Sequence, residues 1–389
     1  MTSRSWVRVA LALATIGWGA NQFASTLLVY RQVDGLSDSS VTLMFAAYVV
    51  GLMPALLGAA WLSAHHGLRP IVRLALVLAG LASGLLILGA DQIWALYAGR
   101  VVAGIATGTA MGAGTAWIKE LSAGAPLGTG ARRATIALSA GFGGGPLVAG
   151  LVADLAPAPQ VTPYLLHVAA TAVTLVFAWT APEPPRVDQA TPTVGAVARA
   201  VAQPWFLLRV APAAPWVFGA PTIAFVVLPT RLAGDLTIAP YLLTGFIAGA
   251  TLLTGVLVQA PVRRFEAARP GQSVMLGLVL LLIGLGLAMA ALALDTVWLM
   301  LLTTPVLGAT YGTLMVAGLR EVERNVPSPL LAPGVAVFYC VTYLGFFVPW
   351  LLSLFPRTPG WVLLGVGLLI AAVGLLVVRP GRRHRTATV

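Results

Sequence analysis

The sequence predicts an all-α integral membrane protein of twelve transmembrane helices in two pseudo-symmetric six-helix bundles. Three observations predict it. Of 389 residues, 59% are hydrophobic and only 9% are charged, where a soluble domain carries about 25% charged residues. Apolar runs of about 20 residues, long enough to cross a bilayer as helices, recur from end to end. The basic residues lie in the gaps between these runs, on alternate sides. A solvated surface cannot be built from this composition, which excludes a soluble enzyme and a disordered chain. The net charge of +11 then reports topology rather than a nucleic-acid partner.

Twelve runs cover residues 7–30, 40–62, 71–90, 93–118, 134–156, 163–181, 209–233, 239–262, 271–292, 297–319, 333–355 and 360–379. They are called segments one to twelve. In lipid each must be helical, because an unpaired backbone group there costs several kcal/mol. Arg4, Arg8 and Ala12-Leu13-Ala14 imitate a cleavable leader. The apolar run nevertheless continues to Tyr30 and is expected to be retained as a span. Only Asp91-Gln92 separates segments three and four, and only Asp295-Thr296 separates nine and ten. The longest polar stretch, 182–208, opens with Pro182, Pro184, Pro185 and Arg186. It is the expected linker between a first half, 1–181, and a second half, 209–379, which a basic tail, 380–389, follows.

Short loops rich in Lys and Arg face the cytoplasm. Arg69, Arg73, Lys119, Arg132, Arg133, Arg263, Arg264, Arg320 and Arg324 fall on one side with both termini, while Arg31, Arg231 and Arg357 fall on the other. Both termini and the linker are therefore expected in the cytoplasm of a plasma membrane. Frequent Ala, Gly and Arg fit a GC-rich bacterial genome. Cys340 is the sole cysteine, so no intrachain disulfide forms.

An internal repeat supports the two halves. Trp18-Gly19-Ala20 is echoed by Phe218-Gly219-Ala220, Arg31 by Arg231, and Arg69-Pro70 by Arg269-Pro270. Gly104, Gly108, Thr109 and Met111 match Gly308, Gly312, Thr313 and Met315. Equivalent segments in the same orientation mean parallel repeats about an axis along the membrane normal.

This organisation resembles the major facilitator superfamily over essentially the whole chain, most like its drug:proton antiporters. The loop Ala60-Trp61-Leu62-Ser63-Ala64-His65-His66-Gly67-Leu68-Arg69-Pro70 is similar to the family's first signature. It keeps Leu62, Gly67 and Arg69, but has Ala64 where the family has Asp. The resemblance implies a cytoplasmic latch, reduced here to Gly67, Arg69 and Glu120 at the inner end of segment four. Arg100-Val101-Val102-Ala103-Gly104 resembles a signature linked to proton coupling. Gly141-Phe142-Gly143-Gly144-Gly145-Pro146, followed by Gly150, resembles one typical of antiporting exporters.

The residues set their own demands. A buried Arg costs about 2.5–3.5 kcal/mol on insertion scales, so Arg100 is expected to face a water-filled cavity or to snorkel outward. Gly141, Gly145, Gly150 and Gly104 let helices approach closely, and Pro146 removes a backbone hydrogen bond. Polar residues on cavity-lining segments include Asn21, Gln22, Thr304, Tyr311 and Tyr343. No carboxylate sits clearly at mid-membrane, which leaves Asp154 and Asp34 as candidate proton carriers, while His167 reads as structural.

The expectation is a monomeric secondary transporter that exports a small amphipathic compound by proton antiport, without a cofactor or metal. A facilitator or importer of a metabolite is the alternative, and a non-transporting membrane sensor or partner subunit is the alternative of another class. No Gly-rich phosphate loop is present, so nothing in the chain binds ATP to drive transport.

Overall fold

The computed structural model describes residues 5–126, 128–184, 195, 199, 202–232 and 238–378. Most of the expected linker, the basic tail and Arg379 lie outside them. No strand occurs among the described residues, and ten helices are long and apolar enough to cross a membrane. They are segments two to six (Asp38–His66, Leu68–Leu88, Ile93–Leu121, Thr129–Leu155, Thr162–Trp179), eight to ten (Pro240–Ala268, Ser273–Ala293, Val297–Asn325) and twelve (Gly360–Val377), with segment eleven counted over Leu331–Ser353. Several helices run past the expected boundaries at the basic end, because their last turns are polar and leave the apolar run.

The first segment of each half is divided into shorter helical pieces. Segment one consists of Ser5–Asn21 and Phe23–Gln32, joined through Gln22, which keeps right-handed helical dihedrals and donates from its backbone N to the Trp18 carbonyl at 2.9 Å. Segment seven alternates π-turns, Phe206–Val210 and Ile223–Val227, with the short helices Trp216–Thr222 and Leu228–Arg231. Pro212, Pro215, Pro221 and Pro229 supply no backbone N–H, so a regular i to i−4 ladder cannot run through. Segment eleven narrows to a 3-10 turn, Leu344–Phe347, just before Pro349.

The repeat is visible in the packing. A Cβ at Gly104 would overlap the Tyr48 carbonyl, and one at Gly108 would lie 2.9 Å from Leu56 N. Gly308 and Gly312 meet the carbonyls of Thr251 and Gly255 in the same way. Segments two and four thus touch as segments eight and ten do, backbone against backbone.

One apolar core holds the basic end of the first half, around Val9, Leu13, Val72, Leu76, Ala110 and Trp117. The second core runs from the other end of the first half, here the far end, through the whole second half. The halves are therefore fused at the far end and parted at the basic end.

Two carboxylates fix the basic face. Glu183 accepts from the backbone N of Leu68 (2.7 Å) and of Arg69 (3.0 Å), and lies 3.6 Å from Arg69 Nε. It caps segment three, satisfying N–H groups that have no helical partner. Gly67 permits this, with φ +89° and no Cβ to strike the Glu183 carboxylate. The expected Arg69–Glu120 latch is corrected here: Glu120 is exposed, and Arg69 pairs with Glu183. In the second half Glu266 caps segment nine through Gly271 N (2.7 Å) and Ser273 N (3.2 Å) and also pairs with Arg324. Losing a helix cap costs about 1 kcal/mol. Glu183→Ala should therefore lower the thermal midpoint in detergent by a few degrees, with Glu120→Ala unchanged; an equal loss in both would remove the reassignment.

Candidate functional site

Between the halves lies a cavity of about 260 Å³. Its mouth is at the basic end, where Thr135 and Arg263 are exposed. Its deep wall is aromatic. Phe218 stacks on Tyr343 (4.5 Å) and on Tyr311 (5.6 Å), and Phe346 packs edge-on against Phe218 (5.3 Å). Across the seam Phe346 stacks on Tyr48 (5.8 Å) and on Phe45 (5.0 Å), and Tyr343 Oη donates to Met111 Sδ at 3.5 Å. Asn21, Ser139, Thr135 and Gln259 add polar groups. Among the described residues Arg263 is the one charged residue in the wall, and no carboxylate belongs to it.

The helix-five signature builds the wall on one side. Pro146 has no N–H, so the Phe142 carbonyl loses its helical donor. Asn21 Nδ2 donates to that carbonyl at 3.2 Å, and Ser25 Oγ donates to the Pro146 carbonyl at 2.6 Å. Segment one is thereby stitched to segment five. Gly141 and Gly145 face segment one inside the same half: a Cβ at Gly145 would lie 2.7 Å from Trp18 Cα. Gly150 faces the other half, where a Cβ would overlap the Tyr241 carbonyl, and Gly245 answers it against the Pro146 carbonyl.

The far end is closed by polar contacts between the halves. Asp154 Oδ2 accepts from Leu242 N at 2.6 Å, at the open N-terminus of segment eight. Arg31 pairs with Asp38 and donates to the Thr230 carbonyl, and Thr42 Oγ1 donates to Ser353 Oγ at 3.1 Å. Asp34 is exposed and accepts from Gln160, away from the cavity.

Of the residues expected in the cavity, Asn21, Tyr311 and Tyr343 line it. Three do not. Arg100 is fully buried behind the wall, donating to the carbonyls of Ala20 (3.0 Å) and Phe45 (3.3 Å). Its guanidinium lies 4.8 Å from the Tyr48 ring and 4.9 Å from that of Phe23, so it neither faces water nor snorkels. Gln22 points into the first half and donates to Ser83 Oγ. Thr304 is buried and bonds back to the Met300 carbonyl at 3.1 Å, the ordinary fate of a helical hydroxyl. Sequence reasoning missed Tyr48, Phe142 and Gln259; their signal was an aromatic, or for Gln259 a polar amide, within an otherwise aliphatic run.

No curated protein matches this sequence. Solved structures do. A variant of the nucleoside transporter NupG is 15% identical, with a TM-score of 0.77 over 96% of this chain and 98% of that one. The inward-open xylose transporter XylE from E. coli is 16% identical, with a TM-score of 0.70 over 97% of each chain. A D-xylose-proton symporter is 16% identical, with a TM-score of 0.71 over 96% and 97%. At such identities the likeness is one of fold. A family model, that of the Major Facilitator Superfamily, matches residues 7–348. With a match over most of its length and two halves joined around a central cavity, this chain belongs to the Major Facilitator Superfamily of membrane transporters.

Proposed function

We propose that this chain is a twelve-span secondary transporter, with the basic end in the cytoplasm, that moves a small uncharged or amphipathic ring compound by alternating access. The divided runs 5–32 and 206–231 complete the twelve spans in this reading. The observation that carries it is the blind aromatic cavity between the halves, open at one end only. Rocking of the halves over such a site exchanges its opening. Stacked Tyr and Phe rings offer flat apolar faces, and hydroxyls and amides at their edges read polar substituents. Ring faces attract a cation, but the charged residue described in the wall is Arg263, which repels one, and no described carboxylate offsets it. Import or facilitated passage of a neutral metabolite therefore fits better than export of a cationic drug. The names of the similar structures, carriers of nucleosides and of xylose, agree with that class.

Proton-driven export is supported by one observation. Asp154 is a carboxylate that bonds across the seam at the far end, where outside protons reach it. Counterflow in proteoliposomes decides, with labelled nucleosides, sugars and cationic dyes, with and without a pH gradient. The expected result is exchange of a neutral ring compound without a gradient. An aromatic pair is worth about 0.5–1.5 kcal/mol, so Tyr343→Ala should weaken its apparent affinity by about threefold to tenfold. Movement of cationic dyes alone, and only against a gradient, would reverse the reading to export.

A further inference from the structure

A buried polar chain crosses the first half away from the cavity. Gln22 Nε2 donates to Ser83 Oγ at 2.9 Å. Ser83 Oγ meets His167 Nδ1 at 2.8 Å, and His167 Nε2 meets the Thr15 carbonyl at 2.9 Å. Gln22, Ser83 and His167 are each no more than 1% exposed. Their hydrogen bonds have a forced direction. A carbonyl can only accept, so the ring proton sits on Nε2; Nδ1 is then the acceptor, and Ser83 donates to it. Segment one makes room for this ring, since a Cβ at Gly19 would lie 2.7 Å from His167 Cε1.

One acceptor is left over. Gln22 Oε1 is buried with no partner among the described residues. A buried polar atom without a partner costs about 1–3 kcal/mol, and Oε1 stands free to accept. It gives the chain a second arrangement. A proton from water joins Ser83 Oγ while the original Ser83 proton passes to His167 Nδ1. A half-turn of the Gln22 amide then brings Oε1 round to accept from the Ser83 hydroxyl. The ring now donates at both nitrogens, the net change is one proton gained, and reversal releases it. Gln22 also adjoins Asn21 in the cavity wall, so the turning of its amide would connect Ser83 with cavity water.

We propose that His167 is a proton-binding site of the transport cycle, loaded through Ser83 and guarded by Gln22. The proposal rests on the transporter reading above. Of the groups that pack round the ring, Thr15, Trp18, Gly19 and Gln22 of segment one and Ser83 of segment three do not titrate. The buried charge on neighbouring segment four is Arg100, bonded to the Ala20 carbonyl, and Tyr164 lies on segment six itself. The ring is dry in this conformation, where a charged imidazole would lack water. Acid should therefore favour the alternative conformation, in which the far end opens, because a proton stabilises the state that binds it better.

Two measurements test this without a transported substrate, so failure of the transport screen would leave both intact. Nitrogen-15 NMR of histidine-labelled protein in nanodiscs, assigned with His167→Gln, should show the Nε2–H tautomer at alkaline pH and reversible uptake of a second proton on acidification. A ring that stays neutral until the protein unfolds overturns the proposal. Spin labels at Leu155→Cys and Ile238→Cys, in a Cys340→Ser background, should report a longer far-end distance in acid. His167→Gln should abolish that change and Asp154→Asn should keep it. The opposite pattern, or a titrating ring with a pH-independent distance in the unsubstituted chain, overturns it too and leaves His167 a structural tie.

Discussion

Gly150→Leu will open the far end without unfolding the protein, whereas Gly145→Leu will damage the first half itself. The two glycines are five residues apart in one signature, yet they face different neighbours. Gly150 abuts the Tyr241 carbonyl of the other half, and Gly145 abuts Trp18 of its own. Overpacking costs about 1–3 kcal/mol. At Gly145 that cost falls on every conformation, because segments one and five stay together when the halves rock. At Gly150 it falls only on the conformation in which the far end is shut. A state-specific clash of about 3 kcal/mol shifts that balance by more than a hundredfold, since about 1.4 kcal/mol is tenfold. The expected readouts are an unchanged thermal midpoint with a lengthened Leu155–Ile238 label distance for Gly150→Leu. For Gly145→Leu they are a lowered midpoint and poor yield. Equal loss of yield in both variants would mean that the seam is part of the fold rather than of the switch.

The sequence alone does not separate Gly145 from Gly150, and the reason is general. Spacing says that a small residue permits close approach, but not which neighbour approaches. The spans were legible because run length and composition act locally. The repeat was legible because the glycine pair of segment four recurs in segment ten, and the structure gives both pairs the same neighbours. Asn21 and Gln22 show where this stops. Adjacent helical residues point about 100° apart, so one enters the cavity and the other the interior of its half. The basic-face latch failed for a related reason. The acceptor missing at Ala64 is replaced by Glu183, more than 100 residues later in the chain, and no local pattern links the two. The polar marks at Thr304 and Gln22 were real. Their partners are a helical carbonyl and a buried serine, which only tertiary packing decides.

Arg100→Met will leave the protein at least as stable as it is, and will cost it transport. The guanidinium has no carboxylate partner among the described residues. Two carbonyls and the rings of Phe23, Tyr48 and Phe45 hold it, and its Nε has no partner among the described residues. Replacing buried charges by apolar side chains of similar volume is often neutral or stabilising by about 1–4 kcal/mol. Methionine nearly fills the space without the charge. Lysine keeps the charge but has a point-like ammonium that cannot fork to both carbonyls, so Arg100→Lys should lower the midpoint by several degrees. Alanine leaves a void under three rings, and truncations of that size cost about 3 kcal/mol or more. The expected order of midpoints is Met at or above the natural residue, then Lys, then Ala. Function should follow a different order. Tyr48 lies between Arg100 and the cavity, so the guanidinium positions that ring in the wall through its face. Arg100→Met should therefore weaken the apparent affinity for the neutral ring compound found by counterflow, and Arg100→Lys should retain more of it than Met does. A methionine variant that is both stable and fully active would show that Tyr48 holds its place without the charge behind it.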